Sequence, residues 1–140
     1  MAYITKQKFN IRELVGSLPP TKTILLVINE ENLREIYRRQ LIEHNFQVNT
    51  AVFADVVAMA RYLNSADLLI VELANTSDEK LEFLRIITKD FSNLPVITVG
   101  HTISGNILEK VMSLGVVSHL DRKFSRPADL ALMVKTLFFE

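Results

Sequence analysis

A single carboxylate ends one of the most apolar runs of the sequence. The segment LLIVELANTS, residues 68–77, is apolar from Leu68 to Val71 and then reaches Glu72. A carboxylate in this setting can accept a transferred group, bind a divalent cation or form an ion pair with a guanidinium group. Its role therefore depends on which residues the fold brings to the same place.

Short apolar runs alternate along the chain with stretches of helical period. The runs predict five strands, at residues 24–28, 46–50, 68–73, 95–99 and 116–120. Between and after them, apolar residues recur every three or four positions, as on the inner face of a helix. These inner faces comprise Leu33, Ile36, Tyr37 and Leu41, then Val56, Val57, Ala60 and Leu63, then Leu81, Leu84 and Ile87, then Ile107, Leu108, Val111 and Met112, and finally Leu130, Met133, Val134 and Leu137.

Two residues predict where helices begin and end. Asp55 precedes the second helical stretch and has the side chain of an N-cap residue. Gly115 follows the fourth stretch, and glycine is the residue that most often occupies the C′ position after a helix.

Alternating strands and helices predict an α/β fold with a doubly wound parallel sheet and helices on both faces. In such sheets a site lies beyond the carboxyl ends of the strands. The residues that follow the predicted strands are the candidates for this site: Asn29, Glu30, Glu31, Glu72, Gly100, His101 and Arg122.

Length and composition limit the function further. With 140 residues, 49% of them hydrophobic, the chain predicts one closed core, and we assign residues 22–140 to one domain and residues 1–21 to an N-terminal arm. Sixteen basic residues balance sixteen acidic ones, so no overall field favours nucleic acid or an anionic membrane.

Targeting and cysteine signals are missing from the sequence. No apolar run approaches the roughly 18 residues of a membrane span, and the first ten residues lack the apolar core of a secretory signal. There is no Cys, which excludes disulfides and thiolate chemistry. We expect a cytoplasmic protein without nucleic-acid or membrane partners.

Four segments in order resemble the receiver domain of bacterial two-component response regulators. ILLVINEENLREIYRRQLIEHNFQV is similar to the first strand, helix and second strand of that family, and ADLLIVELANTSDEKLEFLRII to the segment that bears its phosphoacceptor Asp. LPVITVGHT and LGVVSHLDRKF resemble its fourth and fifth strands. The resemblance implies a flavodoxin-like fold with five parallel strands in the order 2-1-3-4-5.

The positions that carry chemistry in that family hold other residues here. The acidic pair after the first strand becomes Ile28 and Asn29, and the phosphoacceptor Asp becomes Glu72. The hydroxyl residue that ends the fourth strand becomes Gly100, and the Lys after the fifth strand becomes Arg122. The sequence thus resembles a degenerate receiver, or pseudoreceiver.

These replacements predict that the pocket does not accept a phosphoryl group. Mg²⁺ prefers hard oxygen ligands, and Ile28 offers none. Glu30 and Glu31 lie further along the chain, where acids suit the positive end of a helix. Glu72 is one methylene longer than Asp, and a displacement of about 1 Å can cost about 100-fold in rate. We expect no metal, no cofactor and no enzymatic activity.

Three roles remain open for Glu72. It can pair with Arg122 in a static salt bridge, mimic a permanently phosphorylated Asp, or be a solvated strand-end carboxylate. In the family a phosphorylation signal passes from the fourth-strand hydroxyl to an aromatic residue of the fifth strand. Those positions are Gly100 and His119 here, which predicts that the usual relay is interrupted.

The sequence therefore predicts a noncatalytic, phosphorylation-independent protein-interaction module of bacterial signalling or regulation. One alternative is a response regulator with residual Mg²⁺-dependent phosphorylation at Glu72, and another is a constitutively active phosphomimetic receiver. A DNA-binding regulator is a further rival, although balanced charge and the lack of a helix-turn-helix continuation weigh against it.

The last helical stretch predicts the interaction surface. Leu132 and Phe139 lie roughly opposite its inner face, with Phe138 on a flank. The resemblance implies that this helix takes part in dimerisation or output, so we expect a protein partner of a signalling pathway or a homodimer. In the arm, Ile11, Leu14 and Val15 predict a short helical turn that docks on this helix, either in the same chain or across a dimer; the alternative is a disordered leader. For the helix surface, the alternative is that Phe139 frays at the chain end and Leu132 is one isolated exposed residue.

Overall fold

The computed structural model describes residues 21–73, 78–101 and 104–139. In this part of the chain, strands and helices alternate strictly. The strands are β1 (Thr23–Val27), β2 (Gln47–Ala51), β3 (Leu68–Glu72), β4 (Val96–Gly100) and β5 (Ser118–Asp121). The helices are α1 (Glu31–Glu43), α2 (Val56–Leu63), α3 (Asp78–Asp90), α4 (Gly105–Ser113) and α5 (Pro127–Phe139).

The strands form one parallel sheet in the order β2-β1-β3-β4-β5. Every neighbouring pair is parallel, and Glu72 at the end of β3 is in register with Val99 of β4. Strands β1 and β3 lie inside the sheet, as their uninterrupted apolar runs predict, because both of their faces are covered. The expected fold class and strand order are confirmed.

The core has two parts, one on each face of the sheet. Helices α1 and α5 cover one face and pack on side chains such as Leu26 and Ile70, with Leu130 of α5 fully buried among them. Helices α2, α3 and α4 cover the other face, where Leu84 of α3 is likewise fully buried and packs near Leu69. Successive residues of a strand point to opposite faces, so each strand contributes to both parts.

Both predicted helix-end signals are confirmed. The Asp55 side chain accepts a hydrogen bond from the backbone N–H of Ala58 at 3.0 Å, as an N-cap residue does. Gly115 has a φ of +103°, a left-handed conformation in which a residue with Cβ is strained, and its N–H donates to the Met112 carbonyl.

Five residues predicted to face the core, Ala60 of α2 among them, are instead exposed. Ile36 and Met112 are 46% and 41% exposed, and Val56 and Val57 of the first turn of α2 are 66% and 72% exposed. The inward face of α2 is carried by Met59, which is buried. The pattern was assigned to the wrong side of this helix because α2 has apolar residues on both of its sides.

The last helix has the surface that the sequence predicts. Leu132 and Phe139 are 54% and 57% exposed, and Phe138 is partly buried against the core. Residues 1–20, and with them the predicted turn of the arm, lie outside the described residues. None of the helices in the described part of the chain has the length and apolar character needed to cross a membrane.

Candidate functional site

Glu72 lies at the carboxyl end of β3, near the middle of the sheet. Its side chain points to the α1 and α5 face and is 5% exposed. The Oε1 atom accepts a hydrogen bond from the backbone N–H of Asn29 at 2.9 Å. A buried carboxylate requires such a donor, because an unpaired charge in the interior is costly. The solvated strand-end carboxylate considered from the sequence is therefore wrong.

Asn29 joins three neighbouring strand ends. It follows β1, its N–H donates to Glu72 at the end of β3, and its side-chain Oδ1 accepts the N–H of Phe53 after β2 at 2.7 Å. Arg34 of α1 donates from Nη1 to the Ile28 carbonyl at 2.8 Å and so fixes the same turn. Ile28 itself is fully buried. Two of the predicted site residues, Asn29 and Glu72, are thus in direct contact.

Arg122 does not pair with Glu72. Among the ion pairs of the described residues none joins these two side chains, so the predicted Glu72–Arg122 salt bridge is wrong. The Arg122 guanidinium lies near enough to Tyr37, a buried residue of α1, for its charge to lower the pKa of the phenol. The Arg122 backbone N–H donates to the Gly100 carbonyl at 2.8 Å, which keeps the two strand ends together.

Tyr37 is a site residue that the sequence reasoning missed. Burial raises the pKa of its phenol above the ordinary value, the Arg122 charge opposes this, and the Glu72 charge adds to it. The phenol is therefore neutral at physiological pH. Tyr37 belongs to the predicted inner face of α1, where an aromatic residue predicts packing alone. The available signal is a hydroxyl group within an otherwise apolar helix face.

Gly100 and His119 lie on the other face of the sheet. The His119 Nδ1 and the hydroxyl oxygen of the fully buried Thr98 are 2.7 Å apart. A Cβ atom added to Gly100 would be 3.1 Å from the His119 Cε1, so the ring occupies the space beside the glycine. The buried Nε2 atom has no hydrogen-bond partner among the described residues. Burial lowers the pKa of His119, and Asp121 partly offsets the shift.

The remaining sequence candidates are exposed and are not drawn into this arrangement. Glu30 is the N-cap residue of α1 and makes no side-chain capping bond, and Glu31 lies in the first turn of that helix. His101 is exposed after β4. The described residues contain no group of three or more His, Cys, Asp or Glu side chains that could hold a metal ion.

A second missed feature lies beside the site. Lys80 of α3 is 7% exposed, and its Nζ lies 5.8 Å from the ring centre of Phe53, the residue whose N–H is bound by Asn29. Phe53 also meets Phe83 edge-on at 5.3 Å between ring centres. The loop after β2 is thus contacted by Asn29 on one side and by residues of α3 on the other.

Solved structures with the same architecture are numerous. A response regulator from Thermotoga maritima has a TM-score of 0.74 and 20% sequence identity, and the match covers 86% of this chain and 100% of that one. An orphan response regulator of H. pylori has a TM-score of 0.72 and 13% identity, covering 84% and 98% of the two chains. A pilus assembly-related protein from Burkholderia pseudomallei has a TM-score of 0.72 and 19% identity, covering 83% and 88%.

Sequence comparison adds no relative. No family model matches the chain, and no curated protein matches it either. The chain has the fold of the CheY-like receiver domains of response regulators. At these identities the likeness concerns the fold, and the function has to be argued from the site.

Proposed function

We propose that the protein is a noncatalytic, phosphorylation-independent interaction module of a bacterial signalling or regulatory pathway. The observation that carries this proposal is the state of Glu72: the carboxylate at the phosphoacceptor position is 5% exposed and accepts the Asn29 N–H. A group that has to attack an incoming phosphoryl donor must be accessible and must keep its oxygen free. Glu72 is almost inaccessible, and one of its two carboxylate oxygens already accepts a hydrogen bond.

The residues around Glu72 also argue against a bound Mg²⁺. This ion requires nearly octahedral oxygen ligands at about 2.0–2.1 Å. Ile28 has no oxygen in its side chain, and the Oδ1 of Asn29 already accepts the N–H of Phe53. Glu30 and Glu31 are exposed on the first residues of α1, where the positive end of the helix favours an acid.

The path by which a phosphorylation signal would leave the pocket is altered as well. Gly100 has no hydroxyl to move toward a phosphoryl group, and the His119 ring lies against it. The hydroxyl that His119 contacts belongs to Thr98, two residues earlier on the same strand. This supports a module whose state does not depend on phosphorylation, and it also weakens the phosphomimetic alternative, which needs the same path.

The partner that we propose is another protein. The fold neighbours are described as response regulators and, in one case, as a pilus assembly-related protein, which suggests a partner in a signalling or assembly pathway. The surface we assign to it is the exposed side of α5 with Leu132, Phe138 and Phe139. A homodimer through the same helix remains the second form of this proposal.

The test is an amide ¹H–¹⁵N NMR spectrum titrated with Mg²⁺ and then with beryllofluoride, which mimics a phosphoryl group. We expect the signals of Asn29, Glu72, Gly100 and Arg122 to stay in place. A receiver with intact acids serves as the positive control. Shifts that gather at these four residues, and that disappear in Glu72→Gln, would overturn the proposal and favour the phosphoacceptor alternative.

A further inference from the structure

An aromatic cluster lies at the amino end of the sheet, away from Glu72. Phe46 precedes β2, and the rings of Phe138 and Phe139 lie 6.0 and 6.2 Å from it between centres. The two phenylalanines of α5 are 6.3 Å apart. Because α5 follows the carboxyl end of β5 and runs back along the sheet, its last residues reach the edge at which the strands begin.

Part of this cluster is uncovered. Phe46 is buried, whereas Phe139 is 57% exposed although its ring stacks on Phe46 at an angle of 20°. Leu132 is 54% exposed and lies seven residues earlier, which places both side chains on the same side of the helix. We call this pair of side chains the α5 stripe. It spans about 10 Å along the helix, at 1.5 Å per residue.

The described chain begins beside this cluster. The Nζ atom of Lys22 lies 5.5 Å from the ring centre of Phe138, and the Lys22 carbonyl accepts the N–H of Gln47 at 3.0 Å. A cation over an aromatic ring is attracted to it, so this contact fixes the direction in which the chain enters β1. Residues 1–20 are therefore attached next to the α5 stripe.

The sequence that precedes this point has a short apolar face, which could cover part of the α5 stripe. Ile11, Leu14 and Val15 have the spacing of one side of a helix. A helix of about seven residues is not stable by itself in water, so such a segment forms only against an apolar surface. The five residues 16–20 can extend over about 17 Å at most, which is enough to bring Val15 from the start of β1 onto the α5 stripe.

We propose that residues 11–15 of the same chain cover the α5 stripe, and that a protein partner has to displace them. The inference rests on the proposed function in that it takes the α5 surface as the place where the partner binds. A second copy of the chain is the less favoured occupant, because a tethered segment competes at an effective concentration in the millimolar range. The arm thus acts as an intramolecular cover of the interaction surface.

The chain has no Cys, so a single introduced thiol gives a unique label site. Lys8→Cys carries a nitroxide on the side of the proposed contact that is remote from Lys22, and its paramagnetic broadening is read on the ¹H–¹⁵N spectrum. We expect the amides of Leu132, Phe139 and Phe46 to lose most of their intensity. The amides of Val56 and Val57 should keep theirs, because these equally apolar, exposed residues lie at the carboxyl end of the sheet on its other face.

Two variants and one mixture decide between the outcomes. Leu132→Ser with Phe139→Ser should reduce the broadening at residue 132 to the weaker level of an undocked tether, and the matched Val56→Ser with Val57→Ser should leave it unchanged. A mixture of ¹⁵N-labelled chains without nitroxide and unlabelled chains with nitroxide should show no broadening. Broadening of α5 in that mixture would identify a second copy of the chain as the occupant. Absence of broadening in the sample of ¹⁵N-labelled chains that carry the nitroxide would show that the arm does not bind α5. Either result would overturn the proposal.

The result is separable from the test of the proposed function. A pocket that responds to beryllofluoride overturns the proposed function and leaves the broadening pattern as it is. If the label on the arm does not broaden α5, the proposal that the arm covers this helix is overturned. The result of the titration with Mg²⁺ and beryllofluoride is not affected.

Discussion

The two faces of the sheet treat a buried polar side chain differently. On the α1 and α5 face, the Glu72 carboxylate accepts the Asn29 N–H and lies in the electrostatic range of Tyr37 and Arg122. On the other face, His119 contacts Thr98 through one nitrogen, and its other nitrogen is buried without a partner among the described residues. The difference follows from charge. A buried carboxylate is charged and needs a hydrogen-bond donor, whereas an imidazole can be buried in its neutral form.

The first prediction asks whether the two faces contribute equally to stability. Leu130→Ala removes a fully buried side chain from the α1 and α5 face, and Leu84→Ala does the same on the other face. Each should lower the free energy of unfolding by about 2–5 kcal/mol, through lost burial and the cavity left behind. Urea denaturation measures both. A loss below about 1 kcal/mol for either variant would mean that its face is loosely packed.

The second prediction concerns the charge of Glu72. Glu72→Gln keeps the size of the side chain and an acceptor for the Asn29 N–H but replaces a charge-assisted hydrogen bond by a neutral one. We expect a loss of about 1 kcal/mol in the free energy of unfolding, since hydrogen bonds to charged groups contribute more than neutral ones. Glu109→Gln, at an exposed position of α4, is the control for removing a carboxylate, and a Glu72→Gln protein more stable than wild type would contradict the role of the charge.

The third prediction tests the unpaired nitrogen on the other face. His119→Phe alone leaves the buried Thr98 hydroxyl without its contact, whereas His119→Phe with Thr98→Val replaces both polar partners by apolar groups of similar shape. The double variant should equal or exceed wild type in stability, and the single variant should be about 1 kcal/mol less stable. A double-mutant cycle measured by chemical denaturation gives the coupling. Additive losses would show that the Thr98–His119 contact contributes nothing.

The fourth and smallest effect is on pH dependence. Because burial lowers the pKa of His119 in the folded protein, the unfolded chain binds the proton more tightly. Stability is therefore full above the unfolded pKa of about 6.5 and falls as the pH drops through the folded pKa. The fall should be smaller in His119→Phe than in wild type when thermal unfolding is compared between pH 7.5 and pH 5. Equal slopes in the two proteins would show that folding does not lower the pKa of His119.

Much of the fold could be predicted because buried residues recur along the sequence with the period of a helix or a strand. The order of elements, the Asp55 cap and the Gly115 stop follow from local chemistry. Strand limits moved by one or two residues, as at β5, which was predicted at residues 116–120 and found at Ser118–Asp121. Apolar pattern reports which residues are buried, whereas a strand is defined by its hydrogen bonds, and Val116 is buried before the ladder begins.

The site was predictable in its members and less so in its contacts. Parallel topology alone places Asn29, Glu72, Gly100 and Arg122 at one edge of the sheet. The hydrogen-bond donor to Glu72 depends on side-chain torsion angles, which the sequence does not give. It also depends on the other neighbours of Arg122, which include Tyr37. Opposite charges in the sequence therefore suggested an ion pair, and the backbone of Asn29 took its place.

The bonds of Asn29 have a mechanical consequence. This residue connects the ends of three adjacent strands, because its N–H donates to Glu72 and its Oδ1 accepts the N–H of Phe53. Asn29→Asp would keep both bonds and restore an oxygen of the kind that metals prefer, but it would bring a second negative charge next to Glu72. The two adjacent carboxylates would repel each other, and a cation bound between them would relieve that repulsion.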